Sequence, residues 1–106
     1  MEKTTAVNAL SALAHETRLD VFRLLVREGV RGCSAGDIAA SLDVPPATLS
    51  FHLTALAQAG LVHRRRESRS VIYAADFGAM NAILAYLTEN CCVGDANFKP
   101  ALPVSA

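Results

Sequence analysis

The fold is decided by residues 34–75, which read SAGDIAASLDVPPATLSFHLTALAQAGLVHRRRESRSVIYAA. Apolar side chains recur at helical spacing in two segments of this stretch, residues 34–42 and 46–59. Pro45 separates the segments, because a proline keeps the residue before it out of the helical conformation. Gly60 suits the position just beyond a helix end, where the backbone takes a left-handed turn. We therefore expect two short helices joined by a tight turn.

Two extended runs follow these helices, at residues 61–66 and 70–74, and a turn at residues 67–69 joins them. They predict a β-hairpin, and this hairpin is basic: it contains Arg64, Arg65, Arg66 and Arg69. Two helices joined by a tight turn and followed by a hairpin form a winged helix-turn-helix. In that arrangement the second helix enters the major groove of DNA, and the hairpin, or wing, reaches the phosphates.

The segments on either side of this unit also have helical spacing. Ala6, Leu10 and Leu13 share one face of a first segment, and a second segment stops at Gly29. A last helix begins near Asp76, a natural N-cap. Its apolar face is larger than a terminal helix of a small monomer needs, and we expect it to bury against a second subunit together with Leu10 and Leu13. The residues of that face are Met80, Ile83, Leu84 and Leu87.

The expected fold class is mainly α with a small β-hairpin: a dimeric winged helix-turn-helix with the element order ααααββα. A chain of 106 residues has room for one domain. We place it at residues 1–92, with dimerisation helices at both ends. Gly94, Pro100 and Pro103 interrupt the periodicity that follows, so residues 93–106 are expected to be a loosely ordered tail.

Charge is unevenly distributed, although the net charge is zero. Residues 44–75 carry four arginines and one acidic residue, a local charge of +3, which points to an anionic partner, here double-stranded operator DNA. No stretch approaches the roughly 18 uninterrupted apolar residues of a membrane span. The N-terminus lacks the apolar run of a secretory signal. We expect a cytoplasmic protein with no membrane partner.

The second helix of the unit should meet DNA with the face opposite its leucines, Leu49, Leu53 and Leu56. The candidate DNA-binding residues on that helix are Thr48, Ser50, Phe51, Thr54 and Gln58. On the wing, Arg66 and Arg69 lie nearest to the turn and are the candidates for phosphate or minor-groove contacts.

Three residues of the second helix and the wing have two interpretations each. Phe51 either contacts thymine methyl groups in the major groove or folds sideways onto the protein. His52 lies close to the leucine stripe, which favours a packed or phosphate-bonded histidine over a metal ligand. Arg64 alternates with Arg65, so both cannot face DNA, and a solvent-exposed role is the alternative for Arg64.

The three cysteines, Cys33, Cys91 and Cys92, do not form a disulfide framework, because their number is odd and a bridge between adjacent cysteines is strained. In a reducing cytosol, neighbouring thiols indicate metal or redox chemistry. We do not expect an enzyme. The chain has no glycine-rich phosphate loop, no Cys-x-x-Cys motif and no Ser/His/Asp set at catalytic spacing.

Four motifs in the same order resemble the ArsR/SmtB family of winged-helix metalloregulatory repressors. The longest, residues 12–25, reads ALAHETRLDVFRLL and is similar to the ALAxxTRLxILxLL opening of that family. The others are DIA at 37–39, SFHL at 50–53 and AGLV at 59–62, followed by a basic wing at 65–73 that ends in tyrosine. The resemblance covers residues 8 to about 92. It implies a homodimer built through the first and last helices, and repression of a resistance operon that an inducer relieves.

The resemblance also reduces the number of possible inducers. One site of the family uses Cys-x-Cys where this chain has Ser34 and Gly36, and a zinc site on the last helix needs histidines that residues 77–106 lack. Cys91 and Cys92 resemble the vicinal pair of the arsenic-responsive branch, and soft thiolates suit trivalent arsenic or antimony. The implied inducer is arsenite, methylarsenite or antimonite.

Valence distinguishes the two arsenicals. Two thiolates complete a monomethylated As(III), whereas arsenite has three exchangeable positions, so we expect methylarsenite to be at least as effective as arsenite. The arsenic-responsive branch often has a third cysteine after the pair. Here the other thiol is Cys33, and the sequence leaves open whether it is a third ligand. The alternative function is a redox- or persulfide-sensing repressor that links Cys33 to Cys91 or Cys92.

Overall fold

The structure, a computed structural model, describes residues 1–95 and 97. Its helices are α1 (Lys3–Leu13), α2 (Glu16–Glu28), α3 (Ala35–Leu42), α4 (Pro46–Gln58) and α5 (Phe77–Thr88). Its strands are β1 (Cys33–Ser34), β2 (Val62–Glu67) and β3 (Ser70–Ala75), and a 3-10 turn spans Gly29–Arg31. This order confirms the predicted winged helix-turn-helix: α3 and α4 form the helix pair, and β2 and β3 form the wing.

The recognition helix α4 is held by the leucine stripe that its sequence predicts. Leu49, Leu53 and Leu56 are each at most 2% exposed. The helix begins at Pro46 and ends before Gly60, which has a φ of 78°. This left-handed conformation is one that glycine adopts without strain. The helix is therefore fixed on one side, and its opposite side is free for a partner.

The sheet has a third strand that the sequence analysis missed. Strand order is β1-β3-β2, all antiparallel, with Cys33 opposite Tyr73 in the register. A two-residue strand is too short to show an alternating pattern. Gly32 permits it, because a β-carbon there would collide with the carbonyl oxygen of Tyr73. The extra strand ties the end of α2 to the base of the wing.

The terminal helices correct part of the dimer prediction. Ile83 is 6% exposed and belongs to the core of this chain, while Met80 and Leu13 pack against that core. Helical spacing alone could not separate core from interface on a helix that is apolar almost all round. The large apolar residues left exposed on α1 and α5 are Val7, Leu10, Leu84 and Leu87.

The predicted tail at residues 93–106 lies mostly outside the described residues, so its loose order and the boundary at residue 92 stay predictions. Among the helices of the described part, none combines the length and the hydrophobicity that crossing a bilayer requires.

Candidate nucleic-acid interface and thiol pair

The five residues of α4 predicted to bind DNA all lie on its exposed surface: Thr48, Ser50, Phe51, Thr54 and Gln58. The buried residues of the helix are the three leucines and His52. Phe51 is 66% exposed, so it does not fold away into the protein, although its ring contacts His52 and lies beside Arg18 of α2. The geometry thus leaves a polar face with one aromatic ring at its centre, and contact with DNA at these positions stays a prediction.

The wing places its arginines on two faces. Glu67 pairs with Ser70, so Ser68 and Arg69 form a two-residue turn, with Ser68 at a φ of 55°. Arg66 and Arg69 are exposed beside this turn. Within residues 1–95 and 97, neither has a carboxylate at ion-pair distance. Both guanidinium groups are therefore available to an anion.

Arg65 is a structural residue. Its Nε donates to Glu67 Oε2 at 2.7 Å, and its Nη1 and Nη2 donate to the carbonyl oxygens of Val30 and Arg31 at 3.2 and 2.7 Å. All its donor nitrogens are thus used inside the protein. The predicted alternation is confirmed, and Arg65 anchors the wing to the 3-10 turn.

Arg64 is exposed, which fits both of its interpretations. It lies opposite Tyr73 in the sheet and lines a crevice between α4 and β2. The crevice also includes Thr54 and Gln58, two of the predicted DNA-binding residues. Arg64 therefore belongs to the same surface as α4, and its long-range neighbours could not be read from the sequence around it.

His52 is packed, as one of its two interpretations proposed. It is 6% exposed, its Nδ1 accepts a hydrogen bond from Arg18 Nε at 3.1 Å, and its ring centre lies 4.6 Å from that of His15. Burial lowers the pKa of His52 below the ordinary 6.5, and the nearby His15 and Arg18 act in the same direction. His52 is therefore a neutral acceptor near neutral pH.

The thiol pair lies in turns that follow α5. The helix ends at Thr88, whose carbonyl oxygen accepts a hydrogen bond from the Cys91 N–H at 2.9 Å. Asn90 and Cys92 take positive φ angles of 59° and 68°. A hydrogen bond between the two thiol side chains raises the pKa of Cys92 to about 11, and burial acts in the same direction. Both cysteines are partly exposed in these turns.

Cys33 lies in strand β1 and not in the turns that contain Cys91 and Cys92. It is half-buried in β1, and burial together with Asp37 and Glu28 raises the pKa of its thiol. No three His, Cys, Asp or Glu side chains in the described part of the chain come together as a metal site. The structure of one subunit therefore does not bring Cys33 to Cys91 and Cys92 as a third ligand.

The sequence and the structure match known helix-turn-helix regulators. A family model described as a helix-turn-helix domain matches residues 13–65. The transcriptional activator HlyU of Vibrio cholerae is 32% identical over 87% of this chain and 84% of its own length. An ArsR-like transcriptional regulator from Rhodococcus sp. RHA1 matches with a TM-score of 0.73 and 27% identity, over 86% of this chain and 82% of that one. The chain is a transcriptional regulator of the ArsR family.

This ArsR-family regulator also resembles a Halobacterium salinarum protein named "Putative arsenical resistance operon repressor ArsR". The two are 40% identical over 63 residues, which are 59% of this chain and 48% of that protein. One relative is named an activator and the other a repressor. The names of these relatives therefore do not determine the direction of regulation or the inducer of this chain.

Proposed function

We propose that this regulator is a repressor that leaves its operator when trivalent arsenic binds Cys91 and Cys92 as thiolates. The observation that supports this most is the position of the two cysteines in the turns after α5, where two soft ligands lie next to each other in the chain. The turn follows directly after α5, the helix that also carries the exposed Leu84 and Leu87.

The raised pKa of Cys92 favours an arsenical over a divalent cation. A thiol with a pKa of about 11 keeps its proton at neutral pH, and a cation such as Zn²⁺ has to displace that proton. Methylarsenite, CH3As(OH)2, instead removes it: two thiols replace two hydroxides, two S–As bonds form, and two water molecules leave while arsenic stays trivalent. Arsenite reacts in the same way and keeps one hydroxide. The site should therefore discriminate between the two classes of inducer.

We infer that the regulator acts as a homodimer. Val7, Leu10, Leu84 and Leu87 are 39–58% exposed on two helices that pack against each other. A second copy would bury these side chains and place two α4 helices at a fixed spacing on the duplex. An arsenical that closes a ring through Cys91 and Cys92 would change the turns after α5. The effect on DNA would then pass through the dimer geometry.

For the DNA contacts, we propose that α4 lies in the major groove with Thr48, Ser50, Phe51, Thr54 and Gln58 toward the bases and phosphates. Arg66 and Arg69 would contact the backbone from the wing. Their exposure and the absence of ion pairs for the two arginines within residues 1–95 and 97 support this assignment.

The test is a DNA-release titration on an operator duplex selected by the wild-type protein from a random library. Arsenite, methylarsenite, antimonite, zinc and persulfide are added side by side, and fluorescence anisotropy reports bound DNA. We expect release by the arsenicals, methylarsenite being at least as effective as arsenite, and none by zinc. Release by persulfide alone would replace the arsenic proposal with the redox alternative.

Cys33→Ser is the matched control for Cys91→Ser and Cys92→Ser, because it makes the same chemical change away from the thiol pair. If both arsenicals stay fully effective in this variant, the two-thiolate site stands. Loss of the arsenite response alone would make Cys33 a third ligand. Loss of the methylarsenite response would contradict the proposed coordination.

A further inference from the structure

A cluster of side chains joins the start of α2 to the recognition helix. Arg18 donates from Nε to His52, and its guanidinium carbon lies 5.6 Å from the centre of the Phe51 ring. The rings of Phe51 and His52 meet edge to face, 5.6 Å between centres. Since His52 is buried and Phe51 is exposed, the cluster reaches from the core to the outward face of α4.

Arg18 keeps an unbalanced charge in this position. Within residues 1–95 and 97, no carboxylate lies at ion-pair distance from it, and its hydrogen bond to His52 uses Nε alone. Nη1 and Nη2 therefore keep four N–H donors beside the exposed ring of Phe51. By contrast, Arg27 and Arg31 both pair with Glu28. A guanidinium with its terminal amines unused and its orientation fixed is suited to bidentate binding of phosphate.

We propose that Arg18 is a DNA-phosphate contact at the edge of the recognition helix, and that His52 is a positioning residue that orients it. The terminal amines of Arg18 bind a backbone phosphate next to the bases that α4 meets, while Nε stays on the His52 ring. The inference rests on the proposed placement of the exposed face of α4 on DNA. It adds a contact from α2, outside the helix pair and the wing.

The direct test compares Arg18→Gln with Arg27→Gln. Both variants remove one positive charge from α2, but Arg27 is 71% exposed and paired with Glu28 at 3.6 Å. Binding to the selected operator and to a random duplex of equal length is measured over a range of KCl concentrations. We expect Arg18→Gln to lower the affinity for both duplexes about tenfold per subunit. The slope of log K against log salt should fall by about 0.9 per subunit. Arg27→Gln should leave the slope unchanged.

Two further variants test the orientation and protect against a folding artefact. Arg18→Lys keeps a cation but cannot hold His52 and a phosphate together, so the salt slope should return to the wild-type value while affinity stays reduced. His52→Leu removes the acceptor, and Arg18→Gln added to it should cost less than Arg18→Gln alone. Thermal melting of each variant shows that it is folded at the assay temperature.

Four outcomes would overturn the inference. Equal slopes for Arg18→Gln and Arg27→Gln would reduce the effect to general charge. An effect of Arg18→Gln on the operator alone would indicate a base contact instead of a phosphate contact. No effect of Arg18→Gln, while Arg66→Ala weakens binding, would remove Arg18 and leave the proposed function intact. If neither variant weakens binding, the placement of α4 and the wing on DNA fails as well.

Discussion

The two ends of the regulator are built differently. At the DNA-binding end, α4 contributes four buried residues to the core, and Arg65 ties the wing to the carbonyl groups of a neighbouring turn. At the thiol end, α5 contributes a single buried residue, Ile83, and Cys91 and Cys92 lie in turns beyond it. One end is therefore fixed by packing, whereas the described residues of the other end contribute little to the buried core.

This difference indicates how a signal could pass between the ends. A ligand at Cys91 and Cys92 has no need to distort α4 itself, because α5 carries Leu84 and Leu87 at the surface proposed for the dimer. In the proposed dimer, a small change at the weakly packed end would alter the relation between the two DNA-binding units. Substitutions at the thiol end and at the DNA-binding end test this difference.

The largest expected effect is at the thiol end. Cys91→Ser or Cys92→Ser should abolish release by methylarsenite, because a single thiolate cannot close the ring around arsenic. DNA affinity in the absence of inducer should stay within about twofold, since neither thiol lies on α4 or the wing and surface changes of this kind cost little. Anisotropy titrations with and without methylarsenite measure both. If either variant still releases DNA when methylarsenite is added, the proposed binding of the arsenical by both cysteines is wrong.

A large effect is also expected in the core beneath the recognition helix. Leu56 is completely buried, so Leu56→Ala should lower the free energy of unfolding by about 2–5 kcal/mol. Leu87, 58% exposed, is the control: Leu87→Ala should change the unfolding of the subunit by no more than about 0.5 kcal/mol. It should instead weaken self-association. Urea denaturation measures the stability of each variant, and sedimentation measures its self-association. Similar losses of stability in Leu56→Ala and Leu87→Ala would contradict the difference between the two ends.

On the wing, Arg66→Ala and Arg69→Ala should each weaken binding to all sequences alike. Loss of one phosphate contact lowers the salt slope by about 0.9 per subunit. Arg64→Ala provides a comparison, because that side chain lines the crevice with Thr54 and Gln58 rather than the turn. Binding measured over a KCl series decides the point. An unchanged slope in both wing-tip variants would place the turn away from DNA.

Phe51→Ala should have a smaller and more selective effect. If its ring covers a thymine methyl group, the loss should be about 1 kcal/mol at particular T·A pairs and negligible elsewhere. A series of operators, each altered at one base pair, would show this preference. The same preference profile in the variant and the wild type would exclude the thymine contact.

The smallest effect concerns pH. Since the pKa of folded His52 is lowered from 6.5, this residue contributes stability that is fully present above pH 6.5 and is lost as pH falls below that value. Thermal melts between pH 7.5 and 5 should therefore show a falling melting temperature, and His52→Gln should flatten that dependence. A variant that keeps the wild-type pH profile would assign the loss to other groups.

Local sequence signals were sufficient for the elements but not for their long-range partners. The leucine stripe of α4 and the cap at Asp76, which accepts from the Ala79 N–H at 2.9 Å, act over a few residues and were predicted. The strand β1 has two residues and exists only through its pairing with β3. His52, the partner of Arg18, and the carbonyl groups of Val30 and Arg31 that bind Arg65 are more than 30 residues distant, and no periodicity shows them.

Cys91 and Cys92 were named from their adjacency in the sequence, and their role as a thiol site stays a prediction. The end of α5 at Thr88 and the positive φ angles of Asn90 and Cys92 could not be read from that adjacency. The split between core and surface on α5 was also missed, because Ile83 and Leu84 are chemically alike and differ only in what packs against them.

The anchor of Arg65 has a consequence for engineering. Its guanidinium spans β2 and the carbonyl groups of Val30 and Arg31, so the direction of the hairpin depends on a turn more than 30 residues earlier in the chain. A hairpin grafted from a relative would lose these hydrogen bonds unless the Gly29–Arg31 turn were transferred with it. Chimeras meant to exchange operator preference should therefore treat these two distant segments as a single transferable part.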